Sequence, residues 1–281
     1  YCTCSGSPHA IIGTSTCDMM VAPLEQGLPD IPGMCGIVPE SILPGFFGLE
    51  AGQSAVGDIF NWFVQVVQPG GAELGSHEAL TAGAEKLLPG ESGLLGLDWH
   101  NGNRTVLVDQ RLTGMLLGMT LHTTPAEIYR TLIESTAFGA RAIVDRIEEY
   151  NVKVEGVINC GGISVKNPLL MQIYADVLNR PMEVSRSEQT CALGAAMAGA
   201  VVAGKNAGGH ESFDQATAAM TGIRETRFIP GPERVSVYDR LYALYKVCHD
   251  AFGIPDLQND MFPAMKDLLE IRDDARRSRT S

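Results

Sequence analysis

Apolar residues along the chain occur in two alternating patterns. Short, largely β-branched runs predict strands at residues 9–12, 17–21, 94–97, 152–160 and 181–185. Apolar residues spaced three and four positions apart predict helices at residues 54–63, 124–150, 168–179, 190–204, 233–252 and 256–277. This order predicts a layered α/β domain with a mixed sheet.

Loops separate these elements unevenly. Residues 22–44 are rich in Pro and Gly and are expected to be mostly loop with short strands. Residues 66–95, also rich in Gly, have no clear period and are interpreted as a variable insertion. The two terminal helices, at about residues 233–278, are expected to complete one domain that spans residues 1–281.

Two helix starts have specific sequence signatures. Thr124 followed by Pro125 and Glu127 forms a capping box with Pro in the first turn. Asn167 can cap a helix whose first residue is Pro168, where the missing N–H of proline has no cost. The second of these helices follows a predicted strand after a four-residue connection.

Gly161 and Gly162 interrupt the chain between that strand and that helix. Glycines there let a ligand approach bare backbone close to a helix N-terminus, which favours negative charge. A tight turn of an α/β protein explains the same pair without any ligand. The functional interpretation needs a second ligand-facing turn elsewhere in the chain.

Gly13, Thr14, Ser15 and Thr16 form such a turn between the first two predicted strands. A glycine beside small hydroxyl residues presents N–H and O–H donors to phosphate oxygens at close range. A Ser/Thr-rich hairpin turn is the structural alternative.

Polar residues at two further places are candidates for a site. Glu50 is predicted in the glycine-flanked entry to the helix 54–63, where it could bind sugar hydroxyls or simply favour a helix N-terminus. Residues 98–105 suit a loop that lines a site, although a turn at Asn101 and Gly102 accounts for most of them.

Composition narrows the classes of function. The 281 residues carry a net charge of −12, which argues against a nucleic-acid partner because no dense Lys/Arg surface is available. No apolar run approaches the length of a membrane span, so no membrane partner is expected. Seven scattered Cys favour reduced thiols in a cytoplasmic protein, and Cys2 with Cys4 lacks the second pair of ligands that a zinc site needs.

Several stretches together resemble one family, the FGGY-type carbohydrate kinases. They occur in that family's order at residues 13–18, 44–54, 97–105, 135–141, 161–172 and 191–196. Coincident motifs in order are far more specific than any one of them. The chain resembles the C-terminal half of a two-domain sugar kinase, and within the family it looks most like the L-ribulokinases.

The resemblance implies an actin-like, ribonuclease-H-like ATPase domain with helices on both faces of a mixed sheet. It implies ATP as phosphoryl donor with Mg²⁺, a ketose such as L-ribulose as acceptor, and the N-terminal domain of the same kinase as a partner. The residues implied in ATP binding are Gly13, Thr14, Ser15, Thr16, Gly57, Asn61, Gly161, Gly162 and Asn167. The resemblance assigns Glu50 to the sugar and assigns no metal ligand in this chain.

The catalytic Asp of the family lies upstream of the turn that matches Gly13–Thr16, and residues 1–8 contain no acid. We therefore expect the base upstream of Tyr1, the chain to be a fragment, and the isolated chain to be inactive, since a positioned base contributes about 10²–10⁴-fold. Another kinase of the family, acting on xylulose, glycerol or another polyol, remains an alternative, as does a non-catalytic nucleotide-binding module. Apolar surface that normally faces the other domain predicts self-association of the chain as a homo-oligomer.

Overall fold

A mixed sheet of seven strands forms the centre of the computed structural model, which describes residues 9–12, 15–71 and 75–256. Its strand order is β3-β4-β2-β1-β7-β8-β9, and β5 and β6 form a separate antiparallel pair. The strands are β1 His9–Ile12, β2 Thr16–Pro23, β3 Gly36–Pro39, β4 Phe46–Ala51, β5 Leu95–Leu97, β6 Met115–Leu117, β7 Val157–Cys160, β8 Met182–Ser185 and β9 Ile223–Phe228.

Helices cover the sheet and connect its strands. They are α1 Gly57–Trp62, α2 His77–Ala84, α3 Pro125–Glu148, α4 Gly162–Lys166, α5 Pro168–Leu178, α6 Thr190–Ala203, α7 Phe213–Met220 and α8 Pro232–Gly253. Helix α1 continues as one π-helical turn, Phe63–Val67, and short 3₁₀ turns lie at Leu24–Gln26 and Lys205–Ala207. No helix in the described part of the chain is long and apolar enough to span a membrane.

The register of β1 determines which loops meet. Strand β1 pairs antiparallel with β2, with Ile12 opposite Thr16, and parallel with β7, with Ile11 opposite Cys160. Because parallel strands end at the same edge of a sheet, the end of β1 at Ile12 and the end of β7 at Cys160 lie side by side. The two strands that precede the glycine-containing turns singled out in the sequence are therefore neighbours.

Helix α3 is the central support of the fold. Its predicted capping box is confirmed: Thr124 Oγ1 accepts the Glu127 N–H at 3.3 Å, and Glu127 Oε2 accepts the Thr124 N–H at 2.6 Å. On its buried face, Glu134 pairs with Arg130 at 2.8 Å and accepts a hydrogen bond from Tyr238 of α8 at 2.9 Å. A buried charge is tolerated only with such partners, so this network fixes α8 against α3.

The predicted mixed α/β fold is confirmed, with local differences. Strand β7 is shorter than the predicted run 152–160, and the predicted four-residue connection after Gly162 is the helical turn α4. Helix α7 and strand β9 were not predicted; β9 is an edge strand whose residues are mostly polar and exposed, so it has no apolar alternation. The predicted helix over 256–277 lies almost wholly outside the described residues.

Candidate functional site

The end of β7 forms one wall of an open cleft. Gly161 has φ of 99°, a conformation that side chains disfavour, and turns the chain into α4. Gly162 is exposed, and a Cβ built on it would have no atom within 4 Å. Asn167 caps α5 as predicted, because its Oδ1 accepts the Leu170 N–H at 3.0 Å. This wall faces the cleft through Gly162, Ile163, Lys166, Asn167 and Pro168.

Helix α1 forms the second side of the same cleft. Gly57 is its first residue and Asn61 lies one turn later on the same face. The prediction of a helix at 54–63 is confirmed in position, although the helix starts at Gly57. The structure therefore brings Gly57 and Asn61 together with Gly162 and Asn167, which are distant in sequence.

The third side is α2, which the sequence did not assign to a site. It lies in the predicted insertion, and its His77, Thr81 and Glu85 face the cleft. The cleft has a volume of about 820 Å³. The full set of lining residues is Gly57, Asp58, Phe60, Asn61, His77, Glu78, Thr81, Ala82, Glu85, Tyr129, Gly162, Ile163, Lys166, Asn167 and Pro168. Part of the segment interpreted as a variable insertion therefore lines the cleft.

Close packing on α3 holds α2 in place. A Cβ on Gly83 would lie 2.8 Å from the Cβ of Ala126, so the absence of a side chain permits the approach of the two helices. Ser76 caps α2 by accepting the Ala79 N–H at 3.1 Å. His77 Nδ1 lies 3.1 Å from the hydroxyl of Tyr129 on α3, and partial burial lowers the pKa of His77 below its ordinary value.

The predicted turn 13–16 is described only in part, because Gly13 and Thr14 lie outside the described residues. Ser15 is half-buried, and Thr16 is not in the turn but begins β2 and is buried. Thr16 Oγ1 accepts the Gln53 N–H at 2.7 Å and donates to Asp18. The Thr16 hydroxyl therefore already has hydrogen-bond partners within the protein. Ser15 is the remaining hydroxyl residue of this turn that the structure describes.

Asp18 lies two residues along β2 from Thr16. Burial raises the pKa of its carboxyl to about 7, although the nearby Arg104 guanidinium and the Thr16 hydroxyl oppose that rise. A carboxyl with such a pKa is partly protonated near neutral pH. Asp18 is thus a carboxyl group with a strongly raised pKa near the start of β2.

Glu50 lies in β4, opposite Met19 of β2 and Gly36 of β3. The prediction that it lies in the entry to a helix is wrong; its flanking glycines were misleading because Gly48 is buried in the strand. The half-buried Glu50 carboxylate accepts a hydrogen bond from the Cys17 thiol at 3.7 Å. Burial, with Glu50 adding to it, raises the pKa of Cys17 to about 11, so this thiol stays protonated.

The polar loop 98–105 turns inward and does not line the open cleft. Asp98 accepts from Gln53 Nε2 at 2.7 Å and from the Tyr245 hydroxyl at 3.3 Å, and burial raises the pKa of Asp98 to about 6. A Cβ on Gly139 would overlap the Asp98 carboxylate and the Gln53 amide. Loop 98–105 therefore fixes the Gln53 side chain, which follows the strand that carries Glu50.

A family model with the description "FGGY family of carbohydrate kinases, C-terminal domain" matches residues 9–203. Ribulokinases of Halalkalibacterium halodurans and Geobacillus thermodenitrificans are each 48% identical to the chain, over 279 and 276 residues. Each alignment covers 96% of this chain and 48% of the relative. The chain therefore spans about half the length of the curated relatives it matches.

Solved structures of sugar kinases share the fold. A xylulose kinase from Rhodospirillum rubrum superposes with a TM-score of 0.75 at 23% identity, covering 89% of this chain and 48% of that one. A gluconate kinase from Lactobacillus acidophilus gives a TM-score of 0.76 at 19% identity over the same shares. The predicted actin-like fold is confirmed. With the family model matching most of its length, the chain belongs to the FGGY family of carbohydrate kinases, within their C-terminal domain.

Proposed function

We propose that this chain is the ATP-binding half of an L-ribulokinase, whose full-length form phosphorylates L-ribulose to L-ribulose 5-phosphate. The observation that carries the proposal is the open cleft, in which Gly57, Asn61, Gly162 and Asn167 meet at the end of β7. The ribulokinase names of the similar sequences support the choice of sugar over xylulose or glycerol.

The charges around the cleft support one orientation of the nucleotide. Three carboxylates, those of Asp58, Glu78 and Glu85, line the cleft against one lysine, Lys166. Their excess negative charge would repel a triphosphate, whereas adenosine carries no charge. We therefore place the adenosine between α2 and the wall of Gly162 and Asn167. The phosphates then extend past the end of β7 toward Gly161 and Ser15.

Mg²⁺ fits this arrangement as an ion that enters with ATP. Among the described residues, no three His, Cys, Asp or Glu side chains form a group that could hold a metal ion. Mg²⁺ is commonly held by substrate phosphates, waters and only one or two carboxylates. When bound, it would neutralise phosphate charge, which is a large part of catalysis of phosphoryl transfer.

The sugar is proposed to lie beside Glu50. The phosphates then lie between the adenosine and the sugar. The terminal phosphoryl group of ATP passes to a ketose hydroxyl and ADP leaves. The hydroxyl proton passes to a carboxylate that we assign to the N-terminal domain. In this scheme the present chain positions the nucleotide, and positioning accounts for most of such catalysis.

Calorimetric titration of the chain with Mg·ATP tests the nucleotide site. We expect the chain to bind, and Gly162→Glu to abolish measurable binding, because the new side chain occupies the open space proposed for the adenosine. Gly199→Glu is the matched control, since Gly199 of α6 is also exposed and its Cβ would have no atom within 4 Å. Equal affinities for the two variants would contradict the proposed site.

The acceptor is tested separately on the full-length kinase. ADP release is measured with L-ribulose, xylulose and glycerol at equal concentrations. A kcat/KM that is highest for L-ribulose is expected. A higher value for xylulose or glycerol would favour a sister kinase of the same family, while an intact nucleotide site with no turnover of any sugar would favour a non-catalytic module.

A further inference from the structure

Two strand ends that flank the proposed site lie beyond the ladder between β2 and β4. The pairing of β2 with β4 runs from Pro23 opposite Phe46 to Asp18 opposite Ala51. Thr16, on the nucleotide side, and Gly52, two residues after Glu50, lie past this last pair. Two hydrogen bonds join the strand ends there, because the Thr16 N–H donates to the Gln53 carbonyl at 3.2 Å and the Thr16 hydroxyl accepts the Gln53 N–H at 2.7 Å. A side chain adds to these bonds at Gly52.

Arg104 bridges the two ends. Its Nη2 donates to the Thr16 carbonyl at 2.7 Å, and its Nε donates to the Gly52 carbonyl at 3.5 Å. A planar guanidinium suits this task because it presents several donors in a fixed geometry. A lysine, with a single donor atom on a flexible chain, could not hold both carbonyls in the same way.

The surroundings of Gly52 are adapted to this bridge. A Cβ on Gly52 would overlap both the Thr16 carbonyl oxygen and Arg104 Nη2, so only glycine leaves room for the guanidinium. The neighbouring Thr105 hydroxyl donates to the Gly52 carbonyl at 2.8 Å and accepts the Gly52 N–H at 2.9 Å. Loop 98–105 thus holds Gly52 and Thr16 through consecutive side chains.

We propose that Arg104 is a positioning residue that helps to set the distance between the start of β2, at Thr16, and the end of β4, the strand that carries Glu50. The inference rests on the proposed function, because it assigns the turn to ATP and Glu50 to the sugar. Arg104 acts through backbone carbonyls, so it need not touch either substrate. Loss of the bridge should let the start of β2 move away from the end of β4, and both substrate sites would lose their mutual alignment.

The test uses Arg104→Gln, Arg104→Lys and a matched control, Arg180→Gln. Arg180 also donates to two backbone carbonyls, those of Val154 and Leu178, but away from the cleft. We expect Arg104→Gln to weaken Mg·ATP binding by about 10- to 100-fold, the usual effect of a lost hydrogen bond to a charged group. The affinity of Arg104→Lys for Mg·ATP should lie between those of Arg104→Gln and the wild type. Arg180→Gln should bind Mg·ATP like the wild type.

Two further readouts separate positioning from general destabilisation. Adding methylguanidinium to Arg104→Ala should restore part of the affinity for Mg·ATP, with no such effect on Arg180→Ala. Hydrogen exchange of the ligand-free chain should rise in peptides covering residues 15–18 and 51–54 in Arg104→Gln only. Wild-type affinity in Arg104→Gln, equal losses in both glutamine variants, or unchanged exchange in these peptides would overturn the proposal.

A failure of the proposed function gives a different result. A wild-type chain that binds no Mg·ATP would contradict the nucleotide site itself. The exchange measurement would then still decide whether Arg104 holds the two strand ends together.

Discussion

The two long walls of the cleft are built on different principles. The wall from Gly162 to Pro168 takes its shape from glycine conformations and a helix cap, and it leaves open space beside Gly162. Its one charged side chain, Lys166, is basic. The opposite wall, α2, presents polar and acidic side chains, among them His77, Thr81 and Glu78. The open space beside a glycine admits a ligand, whereas a row of side chains discriminates among ligands by size and charge.

The two walls also differ in how they are anchored. The glycine wall continues directly from β7, a buried strand in the middle of the sheet. Helix α2 buries two of its eight residues, Leu80 and Ala84, whereas all four residues of β7 are buried. We therefore expect α2 to open at lower free energy than the glycine wall, since elements with fewer buried contacts open first.

The largest expected effect comes from filling the cleft at α2. Ala82→Trp places a large ring on an exposed, cleft-facing position where the adenosine is proposed to lie. We expect the Kd for Mg·ATP to rise by about tenfold or more, because the ring clashes with the bound nucleoside. Calorimetry on the chain measures the change.

Ala218→Trp is the control for this substitution. Both alanines are exposed and occupy the sixth position of eight-residue helices, but Ala218 belongs to α7, away from the cleft. An unchanged Kd in Ala82→Trp would show that α2 does not face the nucleotide, and the functional site would then consist of the glycine wall and α1 alone.

The difference between the walls also explains what the sequence could predict. The glycine turn at Gly161 and Gly162 and the helix cap at Asn167 depend on local conformation. Their positions between a strand and a helix were therefore sufficient to predict the turn and the cap. The role of α2 depends on Gly83 meeting Ala126 in α3, a contact between segments far apart in the chain. A stretch of eight helical residues with two buried positions has too little apolar periodicity to reveal such packing.

The misplacement of Glu50 has a related cause. Glycines around it indicated a turn, but β4 lies between β2 and β3 and tolerates Gly48 because neighbouring side chains fill the space beside it. Strand pairing of this kind is a tertiary property. By contrast, β1 was predicted with its observed bounds, and its parallel pairing with β7 places the ends of two predicted strands side by side.

An intermediate effect is expected from moving α2 off its support. In Gly83→Val, the new Cβ would lie 2.8 Å from the Ala126 Cβ, so α2 or α3 must shift. We expect the free energy of unfolding, measured with urea, to fall by about 1–3 kcal/mol, the usual cost of overpacking. Hydrogen exchange should rise in α2 before it rises in β7.

Gly199→Val serves as the control, because a Cβ at Gly199 meets open space. It should leave stability equal or higher, since glycine is unfavourable in the interior of a helix. A uniform rise of exchange over both walls in Gly83→Val would show that the walls unfold together and that the proposed difference in anchoring is wrong.

The smallest effect concerns pH, and it separates the walls because His77 belongs to α2. Burial lowers the pKa of His77 below 6.5 in the folded chain, so the unfolded chain binds the proton more tightly. The contribution of His77 to stability is therefore present above pH 6.5 and is lost as the pH falls from 6.5 through the folded value. Because the side chain is mostly exposed, we expect this loss to stay below about 1 kcal/mol.

His77→Gln should remove this part of the pH dependence when urea unfolding is compared at about pH 7.5 and pH 5.5. The half-buried His100 and the buried His249 are present in both proteins, so their contributions to the pH dependence cancel in the difference. Identical pH dependence in the two proteins would mean that α2 leaves His77 as solvated in the folded chain as in the unfolded one, and that this wall is more open than its contact with Tyr129 indicates.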